Sequence, residues 1–263
     1  MKRWKHRPEG STWGDWGDDD QLGRLNLITP KKVLEGIAEV KEGKSFCLSL
    51  ALDYPGGNVL NPRRLPPVLS PTGDENGWRF NFHTRTINPL FMDVASDDRV
   101  ILTLQYSTQW DTLAHVGGFF DADKVAVEPG DMLLLYTGFT DEIMKMNKNV
   151  DPQRAHAMCA VLDGRDKRLL QWITDSQISA LIADNYGVEA VPARPGPEGA
   201  EHPSLPLHNH CLFKLGLNLG EIWWLKDLAL YLREKKRSRF LLTAPPLRLP
   251  GAVGSPATPV ATV

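Results

Sequence analysis

The sequence predicts an α/β protein with a mixed β-sheet core and covering helices, on three observations. Strand-like runs at 45–53, 99–107, 132–137 and 240–244, with a short one near 188–191, outnumber the helical segments. They do not alternate strictly with helices, which argues against a regular doubly wound sheet. The chain also has 263 residues, 42% apolar and 24% charged, enough to bury a large core. No internal repeat and no dividing linker interrupts it, so one domain over 1–263 is expected.

Each element has its own signal. Residues 1–25 are rich in Trp, Gly and Asp and read as an irregular arm, pinned by its tryptophans against the body or a neighbouring subunit, the body being favoured. A helix is predicted from Pro30 to Glu42: Thr29 caps it, Pro30 sits where its missing N–H is harmless, and Gly43 closes it. Val33, Ile37 and Val40 give it an apolar stripe. After the strand at 45–53, residues 54–76 are dense in Pro, Gly and Asn and read as a long loop of the kind that covers binding sites. A helix is expected from the Thr174/Asp175 cap through Ile178, Leu181 and Ile182. Another covers 205–215, ended by Gly216, and a last one spans 224–237.

Composition excludes several functions. A net charge of −2 gives no electrostatic case for nucleic acid or an anionic membrane, and the basic run Arg233–Arg239 reads as a solvated helix end. Cys47, Cys159 and Cys211 are odd in number and far apart, supporting neither a disulfide framework nor a structural zinc site. The basic N-terminus has no apolar run after it, and no stretch approaches a membrane span, so a cytoplasmic location is expected. Residues 38–45 match a loose phosphate-loop pattern, but they run from helix to strand rather than strand to helix. Neither GxSxG nor GxGxxG occurs, so neither a serine elbow nor a dinucleotide cofactor is supported.

The chemistry-bearing residues fall in two distant clusters. In an extended strand Gln105, Ser107, Gln109 and Asp111 share one face, and four polar side chains there need partners, solvent or an ion. His115 follows four residues after Asp111. On spacing alone, a satisfied polar network at a strand end is the favoured explanation of this cluster. The second cluster is His208, Asn209 and His210, then Glu221 after a Gly-rich turn and before an apolar run. His208 and His210, two apart on a helix, cannot both face one site. Together the clusters supply the groups of a metal site or a general acid/base pair.

These residues resemble the cyclase family of metal-dependent hydrolases, which includes arylformamidases and isatin hydrolases. The likeness runs from Trp16-Gly17 and Leu22–Pro30, through Ser107–His115, Val127–Leu134, Ala183-Asp184-Asn185 with Val188-Glu189, and Leu207-His208, to Leu219-Gly220-Glu221 and Gly254-Ser255-Pro256. It implies a swivelling β/β/α-type fold, a homodimer or homotetramer, and hydrolysis of a C–N or lactone C–O bond by metal-activated water. The arylformamidase-branch motif HxGTHxDxPxH, laid on this chain, places its first two His on Gln105 and Gln109, its Asp on Asp111 and its last His on His115. The family's later His and Glu fall on His208 and Glu221, with His210 fitting if the helix register slips.

The resemblance therefore implies a divalent ion held by Asp111 with Gln105, Gln109 and His208. His115 and Glu221 would be the catalytic groups, and Trp110 and His210 would contact a small-molecule substrate. Amides in place of imidazoles suit Mn better than Zn. Two rivals remain: a metal-free acid/base lactonase or dehydratase, and a non-catalytic small-molecule binding protein on the same fold.

Overall fold

The computed structural model describes residues 6–75, 77–111, 127–199 and 201–263. In chain order, α1 (Pro30–Ala38) and β1 (Ser45–Cys47) precede a β-rich excursion. The excursion holds β2 (Val68–Pro71), β3 (Gly73–Asp74), β4 (Gly77–Trp78), β5 (Phe82–His83), β6 (Val94–Ala95) and β7 (Asp98–Ile101). Next come β8 (Gln109–Asp111), β9 (Met132–Leu135), α2 (Phe139–Lys145), α3 (Pro152–Ala157), α4 (Lys167–Ser176) and β10 (Ala180–Ala183). The chain continues with α5 (Pro206–His208), β11 (Asn218–Glu221), α6 (Lys226–Lys235), β12 (Leu241–Thr243), β13 (Gly254–Pro256) and β14 (Val260–Thr262).

The expected mixed sheet is present. Its five strands run β13-β8-β11-β10-β9, with β9, β10 and β11 parallel and β8 and β13 joined antiparallel at one side. A separate antiparallel sheet runs β1-β14-β12. Strand alternation divides the core between the two faces of the large sheet. Leu181, Ala183 and Leu219 pack with Ile173 of α4 and with Leu212 and Leu215. Ala180 and Ile182 pack on the opposite side with Trp110, Trp223, Leu228 of α6 and Ala261 of β14. Helices thus cover one face, and the small sheet with α6 covers the other.

Several boundaries differ from the sequence expectation. Thr29 does cap α1 by accepting from Lys32 N, a contact worth about 1 kcal/mol. The helix ends at Ala38, however, and its apolar stripe is half exposed at Val33 and Ile37. The segment expected to be helical from Thr174 through Ile182 is the end of α4 followed by β10. Gln177 turns the chain between them in a left-handed conformation (φ 52°). The strand-like runs at 45–53 and 99–107 shorten to 45–47 and 98–101, and residues near 188–191 form only an isolated bridge between Leu162 and Glu189.

The arm is pinned to the body. Thr12 N donates to Lys214 O at 2.8 Å, Trp13 Nε1 donates to Phe213 O at 2.6 Å, and the two rings meet edge-on. Gly23 lies so close to Gly216 that a Cβ there would stand 2.3 Å from the Gly216 carbonyl oxygen, which makes glycine necessary. The buried Arg24 then donates to the carbonyls of Ile173 and Thr174, satisfying the end of α4. No described helix is long and apolar enough to cross a membrane.

Candidate metal centre

The site is built where β8 and β11 pair. Their register sets Gln109 opposite Glu221 and Leu219 opposite Asp111, so the Gln109, Asp111 and Glu221 side chains share one face. Gly220, opposite Trp110, permits the close packing: a Cβ there would lie 2.9 Å from Ile182 and 3.0 Å from Trp223. His208 reaches the same point from the last turn of α5, which continues as a π-helical stretch over Asn209–Leu215. Such wide turns are frequent at functional sites.

Asp111, His208 and Glu221 offer ligand atoms that all lie within 4.8 Å of one another, and all three residues are buried. His208 Nε2 stands 3.3 Å from Glu221 Oε1 and 3.9 Å from Asp111 Oδ2. Gln109 Nε2 donates to Asp111 Oδ1 and to Glu221 Oε2, each at 3.2 Å, while its own Oε1 is buried without a hydrogen-bond partner. Burial raises the proton affinity of Asp111 well above the ordinary carboxylate range, and repulsion from Glu221 adds to it. Burial likewise raises that of Glu221.

On the far side of His208, its Nδ1 lies 3.0 Å from Glu189 Oε1. Burial pushes the Glu189 carboxyl up to about 9. The carboxylates on both sides of the imidazole adjoin strained backbone: Val188 precedes Glu189 at φ 54°, and Ile222 follows Glu221 at φ 58°. β-branched residues rarely adopt that region, and such strain clusters at functional sites. A main-chain bond from Ile222 N to Asn185 O and a side-chain bond from Thr108 Oγ1 to Ile222 O hold the second of these turns.

A small cleft, its walls including Arg64, Gln105, Tyr106, Tyr186 and Ile222, reaches the residue that follows Glu221. Arg64 Nη1 donates to Gln105 O at 2.8 Å, and its guanidinium lies 5.6 Å from the Tyr186 ring centre. Its positive charge opposes the rise in proton affinity at both Asp111 and Glu221.

The residues singled out from sequence divide accordingly. Asp111, Gln109, His208 and Glu221 come together. Gln105 lies in the turn before β8 rather than on its face. Its amide nitrogen, without a hydrogen-bond partner, packs where a Cβ on Gly254 would stand 2.2 Å away. Trp110, expected as a substrate contact, lies in the core: strand alternation sends it to the opposite face, against Trp223, with Nε1 donating to Ala244 O. His210 also stays out of the cluster, its Nε2 2.9 Å from Thr174 Oγ1 of α4. His115 lies outside the described residues. Glu189 was not assigned a role from sequence. A lone carboxylate two residues after Gly187 carries no local signal, and only the fold brings it to His208.

An ion is a good fit to this cluster. Two buried carboxylates, one imidazole nitrogen and an unpartnered amide oxygen form an anionic, oxygen-rich set of the kind divalent cations take.

Comparison with solved structures identifies the fold. One described as a novel cyclase aligns over 96% of this chain and 99% of its own, at 26% identity and a TM-score of 0.72. The chain has the fold of the cyclase family. The same fold is found in isatin hydrolase A from Ralstonia solanacearum, at 14% identity and a TM-score of 0.54, over 89% of this chain and 97% of that one. It is also found in a predicted metal-dependent hydrolase from Bacillus stearothermophilus, at 16% identity and a TM-score of 0.51, over 83% and 97%. No family model and no curated protein matches the sequence. The Asp111–His208–Glu221 cluster of this cyclase fold thus rests on geometry rather than on sequence matching.

Proposed function

We propose that this chain is a metal-assisted hydrolase that opens a small amide, cyclic imide or lactone with activated water. The observation that carries this reading is the convergence of Asp111, His208 and Glu221 at one buried point. These residues, with Gln109 through its Oε1, would hold a divalent ion. One imidazole among oxygen donors favours Mn over Zn. Such an ion supplies polarisation of the scissile carbonyl and a water that ionises near neutral pH.

The chain's own groups do the rest. Glu189, accepting from His208 Nδ1, would orient the ring so that Nε2 faces the carboxylates. Gln109 bridges Asp111 and Glu221 and keeps their spacing. Glu221 would take a proton from the attacking water. His115 is assigned the delivery of a proton to the leaving group.

The test is a chelator-treated chain titrated with Mn or Zn and offered a panel of formamides, cyclic imides and lactones. Ion binding with Mn-restored hydrolysis of one class is the expected result. Full turnover in chelator would sink the metal role, and binding of neither ion would sink the site.

A further inference from the structure

The helix that carries His208 ends in carbonyl groups that it cannot satisfy itself. Past His208 it winds as a π-helix over Asn209–Leu215, and Gly216 N still donates in that register, to Cys211 O. The carbonyls of residues 213–216 lie beyond that bond and need donors from outside the helix. All four find them in the N-terminal arm. Trp13 Nε1 donates to Phe213 O at 2.6 Å, and Thr12 N to Lys214 O at 2.8 Å. Thr12 Oγ1 donates to Leu215 O at 2.8 Å, and Arg24 N to Gly216 O at 2.8 Å.

Two glycines let the arm come this close. Gly23 (φ 55°) and Gly216 (φ 58°) are both left-handed, and a Cβ on Gly216 would stand 2.7 Å from the Gly23 Cα. π-helical winding is rare and mostly limited to single turns, so a run of seven residues depends on what holds its ends. At one end the arm holds the carbonyls. At the other stands His208, whose Nε2 lies 3.3 Å from Glu221 Oε1 and 3.9 Å from Asp111 Oδ2. Glu189 orients the ring, but the winding of the helix sets the backbone from which the ring projects. Relaxation to α-helical pairing would take one residue out of each hydrogen-bonded turn and swing His208 around the helix axis.

We propose that the arm is a positioning clamp for the ion site. Thr12, Trp13 and Arg24 hold the π register, and through it the aim of His208 Nε2 at Glu221 and Asp111. The inference rests on the ion site proposed above and adds to it a determinant of ion affinity that acts from the far end of the helix.

Calorimetric titration of the full chain with Mn and with Zn, run well below each variant's melting midpoint, tests this. The double variant Thr12→Val with Trp13→Phe keeps an apolar body at both positions and removes two donors. It should bind the ions about tenfold more weakly, the scale of two neutral hydrogen bonds. Thr12→Ser keeps the hydroxyl and should bind as wild type does. Thr29→Ala removes the N-cap of α1, a comparable loss of stability on another helix, and should also bind as wild type does. Hydrogen exchange on wild type gives a readout independent of any variant: coupling is reciprocal, so the bound ion should slow exchange at Thr12 N and Arg24 N. A wild type that takes up neither ion would sink the site and the clamp together. Where wild type binds an ion, undiminished binding in the double variant, equal weakening in Thr29→Ala, or ion-independent exchange at Thr12 and Arg24 would overturn the clamp and leave the site standing.

Discussion

Glu189 Oε1 lies 3.0 Å from His208 Nδ1, and both residues are buried. A carboxylate behind an imidazole sets which ring nitrogen keeps its proton and raises the basicity of the other. Here the other nitrogen is the one facing Glu221 and Asp111.

Glu189→Gln should therefore lower divalent-ion affinity about 10–100-fold, the usual cost of losing such a partner. The ion-free melting midpoint should hardly move, since Gln has the same shape and keeps an acceptor oxygen for the His208 Nδ1–H. Calorimetric ion titration alongside thermal melting separates the two effects. Unchanged affinity would show that the contact is only packing.

Asp111→Asn should abolish ion binding and hydrolysis while making the ion-free chain less sensitive to pH. Folding raises the Asp111 pKa, so the folded chain holds this proton more tightly. The stabilising effect is complete below the unfolded pKa of about 4 and is lost as pH rises through the folded value. In chelator, the variant's melting midpoint should gain on wild type from weakly acidic to alkaline pH. A constant difference would mean that Asp111 does not titrate in the fold.

Much of this was legible in the sequence, and the exceptions have physical causes. Asp111, Gln109, His208 and Glu221 stood out because polar groups beside apolar runs need partners. Their meeting could not be read from spacing, since it depends on the β8–β11 register. Ile178, Leu181 and Ile182 were misread as helix because β10 is covered on both faces. A strand buried on both faces loses the alternation that identifies strands. Trp110 was misplaced for the opposite reason: the alternation was there to read, and a residue between Gln109 and Asp111 must face away from them.

His210 and His208 should behave as different kinds of residue. Burial lowers the His210 pKa to about 4, so the folded chain keeps it neutral. Its contribution is present above the unfolded pKa of about 6.5 and is lost as pH falls toward 4. His210→Gln should recover on the order of 1–2 kcal/mol of acid-side stability, discounting for partial exposure, and should leave ion binding intact. His208→Gln should lose the ion. Denaturant melts at several pH values, paired with ion titrations, decide the assignment. Loss of ion binding in the His210 variant would reverse it.

Trp110 should prove a stability residue rather than a specificity residue. Its ring meets Trp223 edge-on at 4.9 Å, and its Nε1 donates to Ala244 O across to the small-sheet side. Trp110→Ala should cost about 3–5 kcal/mol, as large aromatic truncations in cores do. Trp110→Phe keeps most of that packing and loses one half-buried hydrogen bond, a cost of about 0.5–1.5 kcal/mol. The Phe variant should therefore melt lower than wild type yet rank formamides, cyclic imides and lactones in the same order by kcat/KM. A reordered preference with an unchanged melting midpoint would return Trp110 to the substrate side of the sheet, which the β8 alternation forbids.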